Sequence, residues 1–536
     1  MSTTKIGASP HEHTATVARA SRPESSSSYS FKVPGSAQST SDVTPAQGSP
    51  EHKAVDTLET VEAKGGVDDL ANMHDWATGS HNPRNWSSKK KWTTATIGSW
   101  YTFVPALASS MMAPGLREVA ANYSITNSSV LSLTLSIFLL SFAIGPLVFA
   151  PLSEIYGRSL ILHSTNILSL GFALGCAFAP DTGSFIAFRF LLGFSGSAPT
   201  AIGPGLVGDL FAAHERGSAM SLYALGPLFA PAIGPVAGGY LAQYASIKYI
   251  FILLAALFGV AALAGVPLMQ ETYEPVIQYR MAKKAGDVLR MKELRKIQTE
   301  GSGSTAGFLW RSGVRPIVYL TRSLICFVFG LYLAVVYGIY YLMLATFPPF
   351  FSETYGFKAG TGGLMYLGLG VGLVIAGIVG GKMSDSSYQK QTQKNGGVGK
   401  PEFRMPAVAP GAIAIPVGLF WYGWSAQAKL HWIMPVVGTG FFGFGFMATY
   451  LPVQLYLVDS FKYAASASAS AFFFRSLFGF FFPLFGQQMF DAMGLGGGNS
   501  FLAAVSIVLG IPFPIWIFYK GEMLRRRNPM TRESVQ

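Results

Sequence analysis

Apolar residues in this chain gather into long unbroken runs, where a soluble fold would alternate them with polar ones. A helix needs about 20 such residues to cross the hydrocarbon layer of a bilayer. About twelve runs qualify, near 92–113, 128–150, 159–179, 185–208, 218–240, 247–268, 322–346, 359–381, 405–425, 432–457, 467–489 and 499–519. They predict helices, because in lipid each backbone N–H and C=O must find its partner within the segment. A polar stretch divides them six and six. The expected fold is an all-α membrane protein with twelve transmembrane helices in two six-helix bundles. Its expected parts are a disordered cytoplasmic tail (1–80), a first bundle (81–268), a cytoplasmic central loop (269–321), a second bundle (322–520) and a cytoplasmic C-terminal tail (521–536). The central loop reads as a tether in which basic residues 282–297 have helical spacing along the membrane surface.

The fifth run has its own grammar. Gly226, Ala230, Gly234 and Gly238 recur every four residues, leaving one helix face nearly bare, and Gly239 follows. Pro227, Pro231 and Pro235 each remove a backbone donor and bend a helix. In lipid, neighbouring helices restore the lost partner, and a small-residue face permits close approach. The stretch predicts a tightly packed, kinked helix of the kind a moving transporter uses, with a static packing seam as the alternative. The eighth run repeats the device with Gly368, Gly372, Ala376 and Gly380. The halves echo each other again at residues 145–158 and 377–385, where small residues precede Ser and an acid: Ser153 with Glu154, and Ser384 with Asp385. Weak similarity between halves is expected of a carrier built from two related bundles around a central substrate site.

Composition agrees: 50% of residues are hydrophobic and 12% charged, against about 25% charged in soluble domains. The net charge of +12 could suggest nucleic acid, but its placement excludes that. Lys89, Lys90, Lys91, Arg158, Arg216, the segment 280–315, five basic residues from Lys382 to Arg404, and Arg525 to Arg527 all fall on one side of a twelve-span path. The other side holds Arg117, Lys248, Lys358 and Lys429. Under the positive-inside rule both termini are then cytoplasmic. Residues 1–70 lack the apolar core of a signal peptide. Cys176 and Cys326 lie inside apolar runs and offer neither a disulfide framework nor a metal cluster. Gly381 and Lys382 lack the spacing of a phosphate loop, and no nucleophile elbow occurs. No enzyme activity, cofactor or metal is expected. Sequons at Asn122 and Asn127 fall on the outer side, close to the membrane.

Four stretches carry a family resemblance: 151–158 (PLSEIYGR), 189–196 (RFLLGFSG), 226–239, and 82–86 (NPRNW) ahead of the first run. Together they resemble the major facilitator superfamily, and more narrowly its fungal twelve-span drug:proton antiporters, over roughly residues 82–525. The 151–158 loop departs from the usual pattern at Ile155, and at the flanking Ala150 and Ser159. The resemblance implies a monomeric secondary transporter of the plasma membrane. It would export small organic compounds, such as drugs, toxins or secondary metabolites, in exchange for protons by alternating access. A proton-independent facilitator, a carrier of organic acids or polyamines, and a transporter-like sensor remain as alternatives.

Arg189 is the sharpest single candidate. An arginine at membrane depth costs about 2.5–3.5 kcal/mol and is normally paired or hydrated. The resemblance implies a part in proton transfer; anchoring helices through backbone carbonyls is the other reading. Glu154, Arg158 and Asp209 are expected to converge as a gate on the cytoplasmic side, or to form an ordinary interfacial ion-pair cluster. Arg475 is expected to latch onto Asp459, which closes the tenth run. Tyr337 and Tyr341, one turn apart, suit an aromatic or cationic ligand. Gln454, Asn166, Phe474 and Phe478 are further candidates for the substrate cavity, though helix-to-helix contacts would also account for them. No Asp or Glu stands near the middle of any run, which keeps the facilitator open.

Overall fold

The computed structural model describes residue 76 and residues 78–212, 215–298, 304–461 and 464–531. The expected tail, 1–80, lies outside these residues apart from 76 and 78–80. Nine of the described helices are long and apolar enough to cross a membrane. The last, Ser466–Arg527, is 62 residues long, far more than one crossing needs, and it turns back at Gly494, whose φ is +70°. Phe490 packs against Gly498 across that turn. Ser88–Ser110 and Arg216–Tyr244, of 23 and 29 residues, bring the passages to twelve.

In chain order these are Ser88–Ser110 (α1), Ser128–Tyr156 (α2), Arg158–Ala177 (α3), Thr182–Leu210 (α4), Arg216–Tyr244 (α5) and Ile247–Leu268 (α6). The second six are Leu324–Tyr355 (α7), Ala359–Lys394 (α8), Ala409–Gln427 (α9), Ile433–Ser460 (α10), residues 464–493 (α11) and residues 495–527 (α12). An even number of passages returns residue 527 to the face from which residue 88 starts. That face also carries Arg158 and Arg404 and is called the basic face below.

Helix α5 stays continuous through its three prolines. Pro227 cannot donate to the carbonyl of Tyr223, and the Ser99 hydroxyl of α1 donates to that carbonyl instead, at 3.3 Å. A neighbouring helix thus repairs the vacancy, as lipid surroundings demand. The small-residue face explains the intimacy: Gly226 lies on Phe103, Gly234 on Ser110, and Gly238 on the Met111 backbone. In the second bundle, Gly368, Gly372 and Gly380 of α8 lie against Val436, Gly440 and Leu451 of α10. Both ladders therefore bind a helix to a partner in its own bundle.

The seam between bundles uses a different face of α5. Ala232, Pro235 and Gly239 meet Gly370, Gly363 and Ala359 of α8, and Gln243 accepts a hydrogen bond from the Gly360 amide at 2.9 Å. Further crossings lie toward the same end. Arg117 donates to Ser352 at 2.6 Å and pairs with Glu353 at 2.7 Å. Ser129 donates to the Leu484 carbonyl at 3.1 Å. Beside Arg117, burial raises the Glu118 carboxyl above its ordinary range. The larger apolar core runs through both bundles, whereas a second cluster around Ile97, Leu206, Val207 and Leu210 belongs to the first bundle alone.

The central loop differs from the tether expected of it. Basic residues 282–297 are helical as read, within Glu274–Lys284 and Val288–Gln298. A third helix, Thr305–Arg322, was not expected. Phe308, Pro316, Tyr319 and Leu320 form its buried face, while Trp310 is exposed. Gly313 packs on the Leu147 carbonyl of α2, and Tyr319 meets Phe461 beyond α10 with tilted rings 5.5 Å apart, so this helix touches both bundles. Arg311, Arg315 and Arg322 break its apolar run, which hides the helical period when only long runs are sought.

Candidate functional site

Arg189 lies in the first half of α4 with no exposed surface. Its Nη1 donates to Ala108 of α1 at 3.0 Å, Nε to Thr134 at 3.1 Å, and Nη2 to Leu135 of α2 at 3.3 Å, all backbone carbonyls. The last helical bond of α1 runs from Met111 to Leu107, so the Ala108 carbonyl is one of the acceptors a helix leaves unsatisfied at its C-terminus. A guanidinium there satisfies that acceptor and complements the negative end of the helix dipole. Phe138 and Phe251 lie 5.0 and 5.9 Å from its central carbon. Of the two sequence readings, the anchor describes this geometry.

At the basic face, Gly157 ends α2 with φ +107° and Arg158 begins α3. Arg158 Nη1 donates to Ser153 at 2.6 Å, Nε lies 3.5 Å from Asp209, and Tyr273 stacks on the guanidinium at 4.6 Å. Glu154, half-buried, sits on the same turn as Ser153. Arg158 thus links the ends of α2 and α4, through Ser153 and Asp209. Sequence reading missed Glu271, just beyond α6. Its carboxylate accepts from the Arg158 amide at 2.8 Å, the Ser159 hydroxyl at 3.0 Å, and the Thr272 and Tyr273 amides at 3.0 Å each. A Cβ at Gly157 would strike that carboxylate, so glycine is required there for space as well as for its φ. An acid three residues past an apolar run was the available signal.

The second bundle builds the counterpart with other residues than expected. Asp459 pairs with Arg404 at 2.8 Å, and Arg404 also reaches Asp385 at 3.2 Å and the Ser384 hydroxyl at 3.3 Å. The Arg475–Asp459 latch is thus corrected: Arg404, in the 3₁₀ segment Pro401–Val408 ahead of α9, occupies the place assigned to Arg475. The echo of Ser and acid in the two halves has a structural meaning, because each serine accepts from its bundle's arginine. Next to it Arg525 and Glu402 form a buried bidentate pair at 2.7 and 2.9 Å.

Arg475 instead lies within the second bundle, surrounded by rings. Phe472, Tyr337 of α7 and Tyr450 of α10 lie 4.4, 4.7 and 5.0 Å from its central carbon. Tyr337 and Tyr341 are 5.0 Å apart as ring centroids, and Tyr340 and Phe446 extend the cluster at 5.0–6.1 Å. The Tyr341 hydroxyl donates to Ser109 of α1 at 2.9 Å, and Phe472 meets Phe142 of α2 at 5.9 Å, so the aromatic box borders the seam. Tyr337 is half-exposed although its neighbours 332–336 and 338–341 are all buried. Tyr450 and Gln454, one turn apart on α10, are half-exposed as well.

Other cavity candidates are placed elsewhere. Asn166 is buried, and its side-chain amide donates to the Phe258 carbonyl at 2.9 Å, tying α3 to α6. Phe474 faces Phe327 at 6.0 Å and Gly330, packing α11 onto α7, and Phe478 meets Phe474 edge-on at 5.2 Å and Phe482 at 5.4 Å along α11 itself. Residues 472, 475 and 479 share the other face of α11, and Phe472 is the ring that reaches the box.

The chain matches the family described as Major Facilitator Superfamily over residues 93–483. It is 42% identical over 458 residues to the MFS-type transporter penM of Penicillium rubens, covering 85% of this chain and 89% of that one. The efflux pump radE of Floropilus chiversii is 40% identical over 459 residues, covering 85% of each. Among solved structures, the E. coli xylose transporter XylE in a partially occluded inward-open conformation superposes with a TM-score of 0.57. That match covers 81% of this chain and 98% of XylE, at 14% identity.

Proposed function

This chain belongs to the major facilitator superfamily, and from that premise we propose that it exports small organic compounds in exchange for protons. Superfamily membership already makes it a multi-pass membrane transporter and no enzyme. The outward direction follows the printed name of the radE efflux pump; drugs, toxins or secondary metabolites are the substrate class that the sequence resemblance implies. One arrangement carries the alternating-access part of the reading. The bundles are joined toward one face by Gln243, Arg117 and Ser129, while at the basic face Arg158 and Arg404 are each latched within their own bundle. A carrier that rocks two rigid halves needs such internally braced ends, with breakable contacts between them.

In this reading the basic face is cytoplasmic and both termini lie there, the membrane is the plasma membrane, and the monomer is the working unit. Glu154, Arg158, Asp209 and Asp459 belong to the gates; Glu154 and Asp209 carry the proton, with Arg189 holding the helices about them. The test is substrate efflux from proteoliposomes with and without an imposed pH gradient. Faster efflux with the gradient is expected. Equal rates would remove antiport and leave a proton-independent facilitator. That second reading draws on a specific observation: among the described residues, no Asp or Glu stands at the middle of a passage.

A further inference from the structure

We propose that Arg475 is the docking point for the acidic group of a flat organic monoanion, stacked among Tyr337, Tyr450 and Phe472. The proposal rests on the transport reading above and adds to it the charge and shape of the cargo. Among the described residues, no carboxylate lies at ion-pair distance from Arg475, and its Nε has no hydrogen-bond partner. The Tyr340 hydroxyl in the same box is likewise unpartnered. Ring faces attract the cation, but they do not offer the two coplanar oxygens that match a guanidinium fork. A buried donor left in that condition is a site in want of an acceptor.

Three features give the acceptor its form. The walls are aromatic, so the body of the ligand is flat and apolar. The charge to be matched is one, since Arg475 is the cation these three rings surround. The box opens at Tyr337, Tyr450 and Gln454, the half-exposed members of α7 and α10, and it borders the seam through Phe142 and Ser109. A ligand held there touches both bundles and is released when they part. Arg189 cannot take this role, because backbone carbonyls already engage its Nε, Nη1 and Nη2.

The probes are 2-naphthoate and its neutral amide, 2-naphthamide, measured by equilibrium dialysis against the full chain in lipid nanodiscs with protein-free discs subtracted. Wild-type protein is expected to bind the acid at least tenfold more tightly than the amide. Arg475→Gln is expected to lower acid binding to the level of the amide and leave amide binding unchanged, which also reports an intact box. Arg475→Lys, keeping the charge without the fork, is expected to fall between. Equal binding of both probes by wild type, acid preference surviving in Arg475→Gln, or binding of neither probe would overturn the proposal. None of these results touches the export reading, which fails only if proteoliposomes show no carrier-dependent efflux.

Discussion

Arg189 and Arg475 stand inside the membrane-spanning helices of opposite bundles, and among the described residues neither has a carboxylate at ion-pair distance. Their surroundings answer the same electrostatic problem differently. Arg189 is fully enclosed and hydrogen-bonded to three carbonyls of two other helices, one of them an unsatisfied helix end. Arg475 is half-exposed, faced by three rings, and keeps a nitrogen without an acceptor. The first arginine is consumed by architecture. The second is left with interaction capacity unspent, which marks where a ligand belongs.

The largest expected effect is on Arg189. Arg189→Met removes three charge-assisted hydrogen bonds, each worth about 1.5–3 kcal/mol, and leaves the Ala108 carbonyl at the end of α1 without a donor. Thermal unfolding of the purified protein should show a loss of at least about 3 kcal/mol, with poor recovery of folded material. Arg189→Lys should recover only part of it, because an ammonium lacks the planar fork. A Met variant that melts like wild type would mean that the carbonyl bonds are dispensable, and the contrast with Arg475 would collapse.

Arg475→Gln comes next, as the matching measurement. Removing a charge that has no ionic partner disturbs little, so its thermal unfolding should stay within about 1 kcal/mol of wild type. The same midpoint loss as Arg189→Met would make both arginines structural. A gain in stability would sharpen the comparison, since it would mean that the charge is kept at the expense of the fold.

These contrasts were only partly open to sequence reading. The spacing of Gly226, Ala230, Gly234 and Gly238 announced close packing and could not name the partner. The ladder lies on α1, while Ala232, Pro235, Gly239 and Gln243, a short rotation around the same helix, form the seam. Arg189 was legible as an arginine at depth; the three carbonyls it meets are set by where α1 ends and how α2 crosses it. Sequence position alone pairs Arg475 with Asp459, because both lie near the same face of adjacent passages. Only the fold brings Arg404 back from the 386–408 connection to claim that aspartate. The cage around Arg475 draws on α7, α10 and α11 together, and no spacing along one helix encodes it.

A smaller effect is expected at the latch that displaced Arg475. Arg404→Gln removes ion pairs to Asp459 and Asp385, which keep 34% and 66% of their side-chain surface exposed. Water can replace much of what is lost, so destabilisation of about 1 kcal/mol or less is expected in thermal unfolding. A loss matching Arg189→Met would place the second bundle's architectural arginine at Arg404, and move the comparison from membrane depth to the surface.

The smallest predicted effect concerns the hydroxyl that joins the aromatic box to the first bundle. Tyr341 donates to Ser109 across the seam, with both side chains buried. Hydrogen bonds between membrane helices average about 0.6 kcal/mol in double-mutant cycles. A cycle of Tyr341→Phe and Ser109→Ala, read by thermal unfolding, should return a coupling of that order. The bond exists only while the bundles are together, so losing it favours their parting. Cysteines placed at Gln243 and Gly360 should accordingly cross-link more slowly in Tyr341→Phe than in the otherwise unchanged protein. Zero coupling with unchanged cross-linking would detach the box from the seam, and ligand release at Arg475 could no longer follow from the bundles moving apart.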